Sequence, residues 1–375
     1  MFVKHARIFA LLCCLSSLAC TDDAPVETTT SIAAFQAALH EDAATWTVLE
    51  GDWQEDFGDA AAFGPAYYIR AAQASRDPAL QAIADASRDY NLSVVEQAGA
   101  DSMWMLANLE EVFMTTQGLI EYAGVTGDEA LIPPLQTLLD VMSGLMSTFG
   151  NYLDVSVGEF AADLYGPTSI TAGYAVILLQ YAALLDAPDE ELRVTQAIIA
   201  LDVIGEKAFD EDHYQFRPGD EKLYLYPNAT MLIALNRAYQ LTGEQRFLDR
   251  ALLVYEGIQV LRDANLDFYH SPYSQAYQGA ETDEYGTLSA QNYLLLGLML
   301  MYQNTQDPAF LEDILALLRF IQEKLYDAEK QKILHHWIDG RPALPTDPDY
   351  FCSGCNLQVL YLLWYLKHDL NVPLS

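Results

Sequence analysis

From Asn228 to Leu241 the chain is apolar almost without interruption, with Asn236 and Arg237 the only strongly polar positions. From Glu244 to Leu261 the pattern changes. Phe247, Leu248, Ala251, Leu252, Tyr255 and Ile258 recur at helical spacing, while Arg246, Asp249, Arg250 and Glu256 take the other side. The first pattern predicts a helix enclosed by neighbours and the second a helix with one wet face. Between them, Thr242-Gly243-Glu244 supplies a residue free to turn and an acid for the positive end of the second helix.

This hairpin recurs. Aligning Tyr239 with Tyr302, 63 residues on, also superposes Thr242 on Thr305, Glu244 on Asp307, Phe247 on Phe310 and Leu248 on Leu311. Thr126-Gly127-Asp128 lies about two periods upstream, so the chain is an array of helical pairs. Ser31–Leu49 reads as a first amphipathic helix, followed by a turn-rich loop. Enclosed and amphipathic helices then alternate as Ala66–Ser75 with Pro78–Ala98, Ser102–Ala123 with Asp128–Phe149, and Ser169–Leu185 with Asp189–Phe209. The hairpin above and its copy, Leu288–Tyr302 with Pro308–Tyr326, come next, and Asn356–Leu370 closes the chain with an apolar helix. Six enclosed and six amphipathic helices bury their faces most economically as an inner ring inside an outer ring, with the first helix closing against the last.

The repeated Y-x-x-T-x-[DE]-x-x-F-L hairpin and this count resemble the six-hairpin glycosidase-like superfamily, the all-α (α/α)6 toroids. The group holding acylglucosamine 2-epimerases, unsaturated glucuronyl hydrolases and mannanases is the nearest. The resemblance covers residues 31–375 as one domain and implies a carbohydrate-active protein. It contains no catalytic residue, and the adjacent Asp-Asp of the mannanases is absent.

Composition changes the picture in two ways. The net charge is −34, which leaves no basic footprint for nucleic acid. Residues 1–20 have a basic start, an apolar run from Ile8 to Leu15 and small residues before Cys20, the form of a secretory signal. Leu18-Ala19-Cys20 resembles the lipidation site of bacterial lipoproteins. The resemblance implies a lipid on Cys20, a flexible tether over 21–30, and, with Thr21 after the cysteine, an outer-membrane address in the cell envelope. The most apolar later stretch, Tyr293–Tyr302, is about ten residues, short of the roughly twenty needed to span a bilayer.

If all inner helices run the same way, the loops entering them share one mouth. The long ones are Glu50–Pro65, Gly158–Pro167, Asp210–Pro227, Asp263–Thr287 and Asp327–Gly354, whereas the opposite turns are short. Long loops on a rigid scaffold are where binding and catalysis concentrate. Flat aromatic faces beside carboxylates suit sugar rings, so Trp53, Tyr224, Tyr226, Tyr285 and Trp337, with Gln291, are candidate substrate contacts. Glycoside chemistry needs two carboxylates, one able to stay protonated. Glu281, Asp283 and Glu284 before the helix at Leu288, and Glu110-Glu111 within Ser102–Ala123, are the candidates. Epimerases of this fold use pore-loop histidines, and His213, His270, His335 and His336 all fall in entering loops. The resemblance and these residues together lead to the expectation of a carbohydrate ligand, hydrolysed or epimerised at this mouth, with a non-catalytic glycan- or protein-binding toroid as the alternative. Cys352-Ser353-Gly354-Cys355 is expected to hold a local disulfide and no cofactor. The competing reading joins Cys352 and Cys355 to His335 and His336 as a zinc set.

Overall fold

The computed structural model describes residues 34–37, 53–148, 167–211, 215–216, 224–263, 265–270, 285–330, 332–338, 340–344 and 351–373. In chain order the helices are α1 (Trp53–Ser75), α2 (Pro78–Ala100), α3 (Ser102–Ala107), α4 (Leu109–Thr126), α5 (Ile132–Thr148), α6 (Pro167–Leu184) and α7 (Glu190–Ala208). After a two-residue ribbon of β1 (Phe209–Asp210) and β2 (Gln215–Phe216) come α8 (Leu225–Thr242) and α9 (Gln245–Ile258). Strand β3 (Tyr285–Thr287) leads into α10 (Leu288–Thr305), followed by α11 (Pro308–Phe320). Four short strands, β4 (Tyr326–Asp327), β5 (Lys332–Ile333), β6 (His336–Ile338) and β7 (Arg341–Pro342), precede the final α12 (Ser353–His368).

Helices α1, α4, α6, α8, α10 and α12 pack side by side in that order, and α12 returns to α1, so the inner ring is closed. The outer helices α2, α5, α7, α9 and α11 lie against it. The first predicted outer helix is represented by helical residues 34–37, where Phe35 is buried and meets the Tyr326 ring edge-on at 5.0 Å. Tyr326 pairs with Ile333, which is itself tied to the start of α12, so Phe35 lies on the segment that leads into the last helix, while the rest of the predicted helix Ser31–Leu49 lies outside the described residues.

The physics of the two rings differs as their sequences do. Every residue of α8 from Leu225 to Asn236 is buried, and Gly297 lets α10 approach so closely that a methyl group there would stand 3.0 Å from Leu232 Cβ. In α9 only the stripe Phe247, Leu248, Ala251, Val254, Gly257 and Ile258 is buried.

Two expectations are corrected. The segment 50–65 is helical from Trp53 onward, because Ala60–Ala62 favour helix and Pro65 removes only one internal hydrogen bond. Burial of Tyr68 and Ile69 in the ring offsets that loss. The single helix predicted over Ser102–Ala123 is broken at Asn108, whose side-chain amide donates to the Trp104 carbonyl at 2.8 Å and competes with the helical ladder.

The tight turns gather at one rim and share one chemistry. Thr126, Thr242 and Thr305 each donate their hydroxyl to the carbonyl four residues back, at 2.8, 2.8 and 2.7 Å. Each also accepts the backbone N–H two residues on, at 3.2, 3.1 and 3.2 Å. The intervening Gly127, Gly243 and Gln306 have φ of 70°, 70° and 57°. Ser75-Arg76-Asp77 repeats the device, with Arg76 at φ 59°.

Candidate functional site

The opposite rim, where the inner helices begin, is built by pairings distant in sequence. Gln291, one turn into α10, clasps the backbone of Tyr269: its Nε2 donates to the carbonyl at 2.7 Å and its Oε1 accepts the N–H at 3.3 Å. Asn356, at the same place in α12, does the same to Ile333 at 2.9 and 2.8 Å. Asn228 in α8 donates to the Tyr224 carbonyl at 2.9 Å. In α8, α10 and α12, an amide at the fourth position thus fixes the entering segment. β3, β6 and β7 form a small antiparallel sheet in the register Tyr285 with Ile338, Gly286 with Trp337 and Thr287 with His336. Leu288 N–H donates to the His335 carbonyl, extending the seam into α10.

These facts reassign several candidate contacts. Tyr224, Tyr285 and Trp337 do share one rim, with Tyr224 capping α8 and the other two paired through the sheet. Trp337 is buried against Phe320, at 5.4 Å between ring centres, and Tyr224 is buried too, so both are wall rather than platform. Gln291 is fully buried with both ends of its amide engaged, which removes it as a sugar contact. Tyr226 packs on Tyr293 at 4.7 Å and lines the ring interior. Trp53 is the first residue of α1, at the same rim.

Below this rim, small cavities lie between the inner helices among the described residues. Phe113, Met114, Gln117, Tyr226, Thr230 and Tyr293 surround a cavity of about 10 Å³. Deeper, towards the tight turns, Gln117, Glu121, Gln180, Arg237 and Tyr361 line one of about 20 Å³. Such volumes admit a water and exclude a sugar ring. Glu121 is the acid here. Arg70 Nη2 lies 2.5 Å from its Oε2, Gln180 Nε2 donates to Oε1 at 2.7 Å and the Tyr361 hydroxyl to the same oxygen at 3.2 Å. Burial acts to raise the Glu121 pKa, but the Arg70 charge and hydrogen bond, with Arg237 and Gln180, outweigh it and hold the carboxyl below its usual 4.5. Burial and the neighbouring Glu121 push the Tyr361 hydroxyl upward.

The predicted acids fall elsewhere. Glu111 accepts a hydrogen bond from the Tyr90 hydroxyl of α2, so it faces the outer ring and not the pore. Its neighbour Glu110 is placed by the backbone of α4 alone. Glu281, Asp283 and Glu284 lie outside the described residues, as do His213 and Cys20. Glu121, not singled out from sequence, had a usable signal: with Met114 and Gln117 it falls at spacings of three and four, on one stripe of α4.

Two histidine environments complete the rim. His270 Nε2 lies 2.9 Å from Asp263 Oδ2, with the pair about four-fifths buried. Burial acts to raise the Asp263 pKa, and the N–H groups of Asn265 and Leu266 together with His270 overcome it and hold the carboxyl low. Cys352 and Cys355 are joined in a disulfide at the start of α12. His335, but not His336, accompanies them: His335 and both sulfurs lie within 4.8 Å of one another. His336 follows in the extended β6, where consecutive side chains face opposite ways, and it is completely buried.

No family model matches the sequence, and comparison with curated proteins gives no match. Solved structures do. An unsaturated glucuronyl hydrolase specific for heparin superposes with a TM-score of 0.63 at 14% identity, covering 93% of this chain and 99% of its own. A D-mannose isomerase gives 0.65 at 11% identity, covering 92% and 99%. An α-mannanase from Bacteroides thetaiotaomicron gives 0.59 at 12% identity, covering 92% and 98%. The chain therefore has the six-hairpin glycosidase-like toroid fold over nearly its whole length.

Proposed function

We propose that the protein is a carbohydrate-active toroid whose glycan sits at the rim where the inner helices begin. The observation that carries this is the asymmetry of the rims. One end carries tight turns that satisfy their own backbone, while in the sequence the acid- and aromatic-rich segments 212–223, 271–284 and 345–350 precede the inner helices α8, α10 and α12, which begin at the other end. The structural neighbours, a hydrolase, an isomerase and a mannanase, support the substrate class. The chemistry is assigned to Glu281, Asp283 and Glu284, which precede β3 and α10 in the sequence, with His270, held by Asp263, as the proton-transfer group. Glu121 is excluded from that role by its pairing with Arg70.

The small size of the cavities between the inner helices favours a second reading, a toroid that binds a glycan without turning it over. Among the described residues only one carboxylate lines the pore cavities, so no pair flanks a bond there. Incubating the purified mature chain with a glycan panel, and following reducing ends and epimer interconversion by NMR, separates the readings. Turnover abolished by Glu281→Gln, Asp283→Asn or Glu284→Gln supports catalysis. Binding without turnover supports recognition alone, and neither binding nor turnover removes both.

The amino terminus is proposed to export the chain and to carry a lipid on Cys20, placing the toroid on the outer membrane. No helix among the described residues is long and apolar enough to cross a membrane. Mass spectrometry of the envelope-extracted protein tests this: a diacylglycerol-modified Cys20 supports it, and an unmodified amino terminus elsewhere contradicts it.

A further inference from the structure

We propose that the Cys352–Cys355 loop is a redox-gated site for a soft divalent cation such as zinc, closed as the disulfide and opened by a dithiol reductant, with His335 as the third ligand. The three donor atoms already lie within 4.8 Å of one another. Bond lengths near 2.3 Å for sulfur and 2.0–2.1 Å for nitrogen place ligands of one tetrahedral ion about 4 Å apart or less, so only a small adjustment is needed. Three protein ligands would leave the fourth position for water or a substrate oxygen.

The backbone holds this arrangement independently of the sulfur bond. Leu334 bridges Phe351, which sets His335 beside Cys352, and Leu334 N–H donates to the Leu325 carbonyl at 2.9 Å. On the other side, the His335 carbonyl accepts Leu288 N–H at 2.6 Å and His336 pairs with Thr287. Asn356 clasps Ile333. His335 therefore stays in place when the disulfide opens. Cys352 caps α12, and its sulfur accepts the Cys355 N–H at 3.0 Å, a position that favours the thiolate a metal requires.

The steps balance. The reductant gives two electrons, the S–S bond breaks, two thiols form and the reductant closes its own disulfide. The cation then displaces two thiol protons and is held by two thiolates and the neutral His335 imidazole.

The test uses the full mature chain, with and without reduction under nitrogen, titrated with cobalt(II) as an optical probe and then zinc(II). The oxidised protein serves as its own folded control. The expected result is one equivalent bound by the reduced chain alone, with a thiolate-to-cobalt charge-transfer band that zinc removes. His335→Ala should weaken binding at least tenfold while retaining that band, and the Cys352→Ser/Cys355→Ser chain should bind nothing at this site. The proposal is overturned if the reduced and oxidised chains bind alike, if His335→Ala leaves affinity unchanged, or if the bond resists reduction while the chain remains folded.

Discussion

The two rims of the ring are made by opposite means. At the tight-turn rim the backbone of four described turns is answered within a few residues, by a threonine or serine hydroxyl that both donates back and accepts forward. At the other rim the answers come from far along the chain: Gln291 reaches Tyr269 and Asn356 reaches Ile333, across 22 and 23 residues. Local satisfaction makes a rim that repeats and varies little. Long-range satisfaction frees the intervening segments to differ, which is what a binding face on a shared scaffold needs.

The largest effect is expected between the rims, at the buried pair. Glu121→Leu leaves the Arg70 guanidinium uncompensated and should cost about 3–5 kcal/mol in denaturant unfolding. Because the folded carboxyl is held below 4.5, the contribution of the pair is whole above that pH and is lost as pH falls through the folded-state value. Glu121→Gln should therefore lower stability at neutral pH and flatten the acid limb of the stability profile.

Breaking the long-range rim comes next. Asn356→Ala and Gln291→Ala each strand a buried backbone N–H and carbonyl, at about 2–4 kcal/mol, and hydrogen exchange should rise at Ile333 or Tyr269 respectively while the tight turns stay protected. The local rim should yield less. Gly243→Ala forces a side chain into φ 70° where space is open, costing about 1–2 kcal/mol of backbone strain. Smallest is a gain: Gln306→Gly relieves the same strain at φ 57°, partly offset by loss of the Gln306 amide bonds to Tyr302 and Gln303, for about 0.5–1 kcal/mol of added stability.

The same contrast decides what the sequence reveals. The Thr-x-Asp/Glu turn and the switch from all-apolar to one-sided helices are local, so the two-ring toroid and the position of its rims are legible. Pro65 and the flanking glycines read as a loop because only the assembled ring shows the burial of Tyr68 and Ile69 that carries a proline inside α1. Gln291 reads as a ligand contact since nothing in its neighbourhood announces Tyr269 as its partner. Glu111 and Glu121 both sit in an apolar helix. Which of them faces the pore is fixed by Tyr90 on one side and Arg70 on the other, and neither lies within its own hairpin.

The most direct test of the account is to locate the glycan on the ring. A diazirine-bearing oligosaccharide, chosen as the best binder from the panel, is photo-crosslinked to the mature chain and the attachment sites are mapped by peptide mass spectrometry. Adducts concentrated in 212–223, 271–284 and 345–350, and suppressed by unlabelled glycan, are the predicted result. Adducts centred on the turns at Thr126, Thr242 and Thr305 would contradict it.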